Sequence, residues 1–201
     1  NATELQKVNN SNYGDAVGTM FWHAHSFYSL ITEYFEQNDS SRGTLGKDIY
    51  ENTQPCLTKE ANYEEFIRKA EEEIQRRLKM GYVPGEPGMQ QLTVAWNDNE
   101  EYHTCSGRGN SCTNVNREEG SISGTLVRFV NKVAEWLEDT HPEMTIFTIA
   151  YGTEARKPTV TALRDNVVLC YCWNGCNNHR FDGSACSSGG TGGDKRFQNK
   201  D

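Results

Sequence analysis

The spacing of apolar residues divides the chain into two long helices and a set of short strands. From Tyr63 to Met80, Phe66, Ala70, Ile74 and Leu78 recur every four residues, Ile67 widens the stripe and charges fill the opposite face. That is the period of an amphipathic helix. Asn62 and Glu65 have the spacing of a capping box at its start, and Gly81 is a natural stop. A second helix is predicted from about Ser123 to Asp139, with Leu126, Val127, Val130, Ala134 and Leu137 on one face and His141-Pro142 ending it. Val17–Trp22, Gln91–Trp96, Met144–Tyr151 and Asn166–Cys172 read as strands. A weaker strand, Gln54–Thr58, contains Pro55, which has no N–H to give to a ladder.

The runs Met144–Tyr151 and Asn166–Cys172 are too continuously apolar to have one solvated face, and helices precede strands. Both features predict a parallel sheet built from βα units. Polar or aromatic residues follow several strands: His23 and His25, Asn97 and Asp98, Tyr151 and Glu154, Trp173 and Asn174. Polar groups at the C-terminal ends of buried parallel strands are how barrel enzymes build their sites, so the predicted class is α/β, a (β/α) TIM-type barrel. Only about five strands are visible where a full barrel has eight in roughly 250 residues. The expectation is a single domain over residues 1–201 that is a partial barrel or a fragment of one. The Gly/Ser-rich stretch 184–193 lacks a preceding strand and a following helix, and is read as a flexible loop rather than a phosphate cradle.

Composition narrows the classes. Apolar and charged fractions of 35% and 24% suit an ordinary folded domain, and no apolar run nears the ~20 residues of a membrane-spanning helix. A net charge of −8 would repel a polyphosphate backbone, which argues against nucleic acid as a partner. The polar opening Asn1-Ala2-Thr3-Glu4, without an initiator Met, suggests a mature or excised piece of a longer multidomain chain. Six of the seven cysteines lie after residue 100, a pattern of local stapling or metal binding. Two elements carry them: His103-x-Cys105 with Cys112, and Cys172, Cys176, His179 and Cys186 following Cys170. Four such ligands would make a closed structural zinc site, disulfides in an exported protein explain the same residues equally well, and buried free thiols packed as small hydrophobes are a minor third reading.

Five segments resemble the bacterial domain of unknown function numbered 4838. They are Gln54-Pro55-Cys56-Leu57-Thr58; the Asn97-Asp98-Asn99 strand end with its cysteines; Gly124-x-Leu126-x-Arg128-Phe129-Val130-Asn131-x-Val133-Ala134-Glu135; Thr148-Ile149-Ala150-Tyr151; and Arg164-Asp165-Asn166-Val167-Val168. The likeness runs in consistent order from about His23 to Cys186. It departs in one place: the family sets three cysteines close together after the Asn-Asp strand end, whereas here a Gly-containing insertion separates Cys105 from Cys112. The family resembles barrel glycoside hydrolases, which implies a carbohydrate partner, a secreted or periplasmic location and possible hydrolysis of O-glycosyl bonds.

Glycosidic cleavage generally uses two carboxyl groups and no cofactor, so any zinc would be structural. Asp98, where a strand meets the barrel mouth, is the first candidate, with Glu100 and Glu154 as seconds. Asp98 could equally end the strand in an Asx turn. Asn97 is a candidate for holding sugar hydroxyls; His23 and His25 could do the same, bind a metal with a third ligand, or simply be satisfied by backbone partners; and Trp96, Tyr151 and Trp173 are candidates for stacking on a sugar ring or for filling the core. Two other classes compete: a non-catalytic carbohydrate-binding or scaffold domain, and a zinc-stabilised interaction domain.

Overall fold

The structure, a computed structural model, describes residues 26–27, 54–97, 105, 111–150 and 156–171. In chain order these form helix α1 (Glu60–Lys79), strand β1 (Gln91–Thr93), helices α2 (Cys112–Glu119) and α3 (Ser123–Thr140), and strands β2 (Thr145–Ala150) and β3 (Val167–Tyr171). The three strands pair in parallel in the order β1-β2-β3, with Leu92 opposite Ile146 and Phe147 opposite Val168. Parallel pairing is what the continuous apolar runs predict, and it sets the C-terminal ends of all three strands along one edge of the sheet.

The helices cover the sheet with the stripes read from the sequence. Phe66, Ala70 and Ile74 of α1 and Phe129, Val130, Val133, Ala134 and Leu137 of α3 close over Leu92, Val94 and Ile146. Phe129 is the hub of this core. Its ring meets those of Phe27, Phe66 and Tyr63 edge-on at centroid separations of 5.6, 5.5 and 6.2 Å, the arrangement that aromatic quadrupoles favour.

Several local expectations change. Helix α1 begins at Glu60, its N-cap Lys59 makes no side-chain cap, and the capping box does not form. Asn62 is buried and donates instead to the Cys56 carbonyl at 2.8 Å. In the last turn the core position falls to Arg77, while Leu78 is 36% exposed. Arg77 donates to Glu73 at 2.8 Å and to the Gly88 carbonyl, and its guanidinium lies over the Tyr82 ring. A long side chain with an apolar stem and a paired head thus spans the helix end, where Leu would have no polar partner to meet. Gln54–Thr58 is irregular and ends in a turn rather than forming a strand. Strand β3 does not have both faces buried: Val168 and Leu169, whose side chains point to opposite faces, are 43% and 47% exposed. Helix α2 arises in a stretch that carries no apolar periodicity long enough to announce it. Ser111 caps it by accepting from the Asn114 N–H, and Gly120 closes it in the left-handed conformation.

Two hydrogen-bonded knots hold the connections around α3, the first partly exposed and the second built on a buried carboxylate. The Asn131 amide donates to the Ala162 carbonyl and accepts from the Arg164 N–H, at 2.7 and 3.0 Å, and Asn166 donates to the Ala134 carbonyl at 2.8 Å. These contacts give a structural reason for the Asn131, Arg164 and Asn166 positions of the family-like segments. At the other end, the Glu119 carboxylate, fully buried, accepts from Arg128 Nε at 2.6 Å, from the Thr161 hydroxyl at 2.6 Å and from the Thr161 and Val160 N–H groups at 2.9 and 3.2 Å. Burial alone would raise this carboxyl, but the Thr161 bonds and Arg128 outweigh it and hold it at about 2.

Candidate functional site

The end of β1 is fixed by side chains rather than by a longer ladder. Pairing with β2 extends through the Val94 N–H, which donates to the Phe147 carbonyl at 2.8 Å. Beyond it the Ala95 N–H donates to Ser26 Oγ at 3.1 Å. Gln54 then acts as a substitute strand. The Asn97 N–H donates to Gln54 Oε1 at 2.9 Å, and Gln54 Nε2 donates back to the Asn97 carbonyl at 2.8 Å, with both residues buried. Gln54→Ala removes both of these hydrogen bonds to the buried Asn97 backbone, and losing a buried hydrogen-bond partner costs roughly 1–3 kcal/mol. We expect a loss of about 2 kcal/mol in denaturant melts; a change under about 0.5 kcal/mol would show that water replaces the amide without cost.

Beside this strand end three sulfurs converge. Cys56 Sγ lies 3.6 Å from Cys105 Sγ and 3.7 Å from Cys112 Sγ, and all three fall within 4.8 Å of one another. No disulfide joins them. Thr58 Oγ1 stands 3.4, 3.7 and 3.6 Å from the sulfurs of Cys56, Cys105 and Cys112. The Cys112 N–H, at the start of α2, donates to Cys105 Sγ at 3.2 Å. Cys56 and Cys112 are buried and Cys105 is partly so. The neighbouring Cys56 sulfur and then burial push the Cys112 thiol well above its ordinary value. Thiols this close cannot all ionise unless a cation compensates them, and the cluster can therefore hold a metal ion.

Of the residues singled out in the sequence, the structure brings Cys105 and Cys112 together. Cys56 was visible only as part of a family-like segment, and its partnership with them is new. The available signal was that it alone of the seven cysteines precedes residue 100. Thr58 and Gln54 carried no signal of their own, since a hydroxyl and an amide are ordinary surface groups. Cys170 lies on β3, apart from the cluster. Trp96 is 4% exposed and meets Phe27 edge-on at 6.0 Å, so its ring belongs to the core, and Asn97 is buried at the strand end. His23, His25, Asp98, Glu100, His103, Tyr151, Glu154, Cys172, Trp173, Cys176, His179 and Cys186 lie outside the described residues.

A separate cavity of about 380 Å³ lies between α3, β2 and the connection to β3, lined by Leu126, Val127, Val130, Ile149, Leu163 and Leu169 among others. No helix among the described residues is long and apolar enough to cross a membrane.

The fold is a parallel α/β arrangement with a three-thiol cluster beside one strand end. The sequence matches the family model described as Domain of unknown function (DUF4838) over residues 2–187, and the chain belongs to that family. No curated protein and no solved structure matches it.

Proposed function

We propose that this chain is a carbohydrate-active domain of (β/α)-barrel type, glycoside hydrolase-like, exported to the periplasm or the cell exterior, with Asp98 as its working carboxylate. The observation that carries this reading is the parallel order β1-β2-β3, in which strands adjacent in sequence are adjacent in space and their C-terminal ends share one edge. Barrels are wound in that order and carry their chemistry on that edge. The residues that follow those strands in sequence, Asp98, Tyr151, Glu154 and Trp173, are of the types that protonate, hold and stack on sugars. The buried Gln54–Asn97 clamp supports the reading, because it fixes the backbone immediately before Asp98. A structural zinc in the three-thiol cluster belongs to the same proposal, with the role of bracing the loop after Asp98.

The test is a panel of aryl glycosides with wild type and Asp98→Asn, accompanied by glycan-binding titrations. A general acid or base contributes roughly 10²- to 10⁴-fold. We expect wild type to release the aryl group from at least one sugar and Asp98→Asn to lose activity on that scale. Equal rates would remove Asp98 from catalysis. Binding without cleavage would convert the proposal into a carbohydrate-binding domain, and neither binding nor cleavage would overturn it.

A further inference from the structure

The distances in the thiol cluster are too long for bonded sulfurs and match those of ligands around one ion. A disulfide requires sulfurs about 2.05 Å apart. Tetrahedral zinc with thiolates at about 2.3 Å places its sulfurs about 3.8 Å from one another, and an oxygen ligand at about 2.0 Å lies about 3.5 Å from each sulfur. Here the two closer sulfur pairs measure 3.6 and 3.7 Å, and the Thr58 oxygen lies 3.4–3.7 Å from all three sulfurs. Four donor atoms from three separate segments therefore stand close enough to share one tetrahedrally coordinated ion.

We infer that Cys56, Cys105 and Cys112 bind one zinc ion as thiolates, with the Thr58 hydroxyl at the fourth corner. This deepens the zinc part of the function proposed above, and it does not depend on the carbohydrate part. Binding is not a redox step. Three thiol protons leave to solvent, three Zn–S bonds form, and the site carries a net charge of −1 with the hydroxyl neutral. Thiolate sulfur selects zinc over magnesium or calcium, which prefer oxygen shells.

The surroundings suit such a site. The Cys112 N–H donates to Cys105 Sγ from the first turn of α2, whose backbone dipoles favour negative charge at that end. Asn62 holds the backbone carbonyl of Cys56 at 2.8 Å, fixing the direction from which that sulfur approaches. Outer contacts of this type orient ligands in metal sites. The ion would join the segment before α1 to the start of α2, sequence separations of 49 and 56 residues, and so tie together the two chain segments flanking α1 and β1.

The experiment uses the full chain purified without a nickel column, with metal content by mass spectrometry and thiol reactivity before and after a strong chelator. We expect about one zinc per chain, with three thiols becoming reactive only once the chelator has removed it. Cys56→Ser and Cys112→Ser should lower zinc affinity by more than roughly 100-fold, whereas Cys170→Ser should leave it unchanged. Should a cysteine variant fail to fold, cobalt titration of the chelated wild type reads the same point, because thiolate-to-cobalt charge-transfer bands report sulfur ligation. Absence of zinc, together with a mass two hydrogens lighter and a disulfide among the three cysteines, would overturn the site. So would zinc retained unchanged in both serine variants. Thr58→Val should weaken binding by roughly 10- to 100-fold. Full affinity in Thr58→Val with loss in His103→Ala would overturn the fourth-corner assignment and move it to the chain before Cys105. A zinc-loaded chain without glycan binding would sink the carbohydrate reading alone.

Discussion

Glu119→Gln should destabilise the fold by about 3 kcal/mol at neutral pH, the upper scale for losing hydrogen bonds to a buried charge, because Arg128, a third exposed, keeps Glu118 at 3.0 Å. The carboxylate is fully buried and joins α2 to two other parts of the chain, through Arg128 on α3 and through the Thr161 and Val160 N–H groups of the connection to β3. Glutamine keeps the size and one acceptor oxygen but replaces the other with a donor facing donors. The same site predicts a pH dependence. Glu119 has an ordinary value of 4.5 and is held at about 2 in the fold. A carboxyl depressed by folding stabilises the native state while it is ionised. Its contribution is therefore complete above about pH 4.5 and is lost as pH falls through 4.5 towards 2. Denaturant melts of wild type and Glu119→Gln should show a full gap at neutral pH that narrows over this acidic window. A gap independent of pH would mean that shape, not charge, is what Glu119 supplies.

Gly124→Ala should cost about 3 kcal/mol, the upper range for forcing an atom into a packed interior. An alanine is normally favoured over glycine inside a helix by about 1 kcal/mol. At this position the added Cβ would sit 2.3 Å from Glu119 Cβ and 2.4 Å from Glu119 Cγ. The clash falls on atoms next to the backbone, which a rotamer change cannot relieve, so α2 and α3 must separate and the Glu119 network must stretch with them. A thermal melt of Gly124→Ala equal to or above wild type would show that the helices separate without cost. Gly124 opens one of the family-like segments, and this close approach is the physical reason a side chain is excluded there.

Both predictions concern contacts between α2 and α3, a pair that periodicity reached only by half. The α3 stripe was legible because one face of a long helix must meet the core at every turn, and Leu126, Val130, Ala134 and Leu137 are buried as that rule requires. Helix α2 was not legible. Its eight residues are mostly polar, and what holds them is Ser111 at one end, Gly120 at the other and a buried carboxylate whose partners lie more than 40 residues away in the case of Thr161. Local pattern cannot report a partner at that distance. The Asn62–Glu65 motif failed for a related reason: Asn62 had a better use in holding the Cys56 carbonyl than in capping its own helix. A capping hydrogen bond is worth about 1 kcal/mol, which a tertiary contact readily overrides.

The sequence by itself determined the two amphipathic helices, the parallel character of the buried strands and the family of the chain, because apolar period and residue order are properties of the chain alone. It also marked Cys105 and Cys112 as chemistry near a strand end. Only the tertiary structure decided that Cys56 and Thr58 complete that cluster, that Gln54 substitutes for a strand beside Asn97, and that Trp96 belongs to the core. Those outcomes depend on which segments α1 and β1 bring side by side, and folding geometry, unlike spacing, is not written in any one stretch of residues.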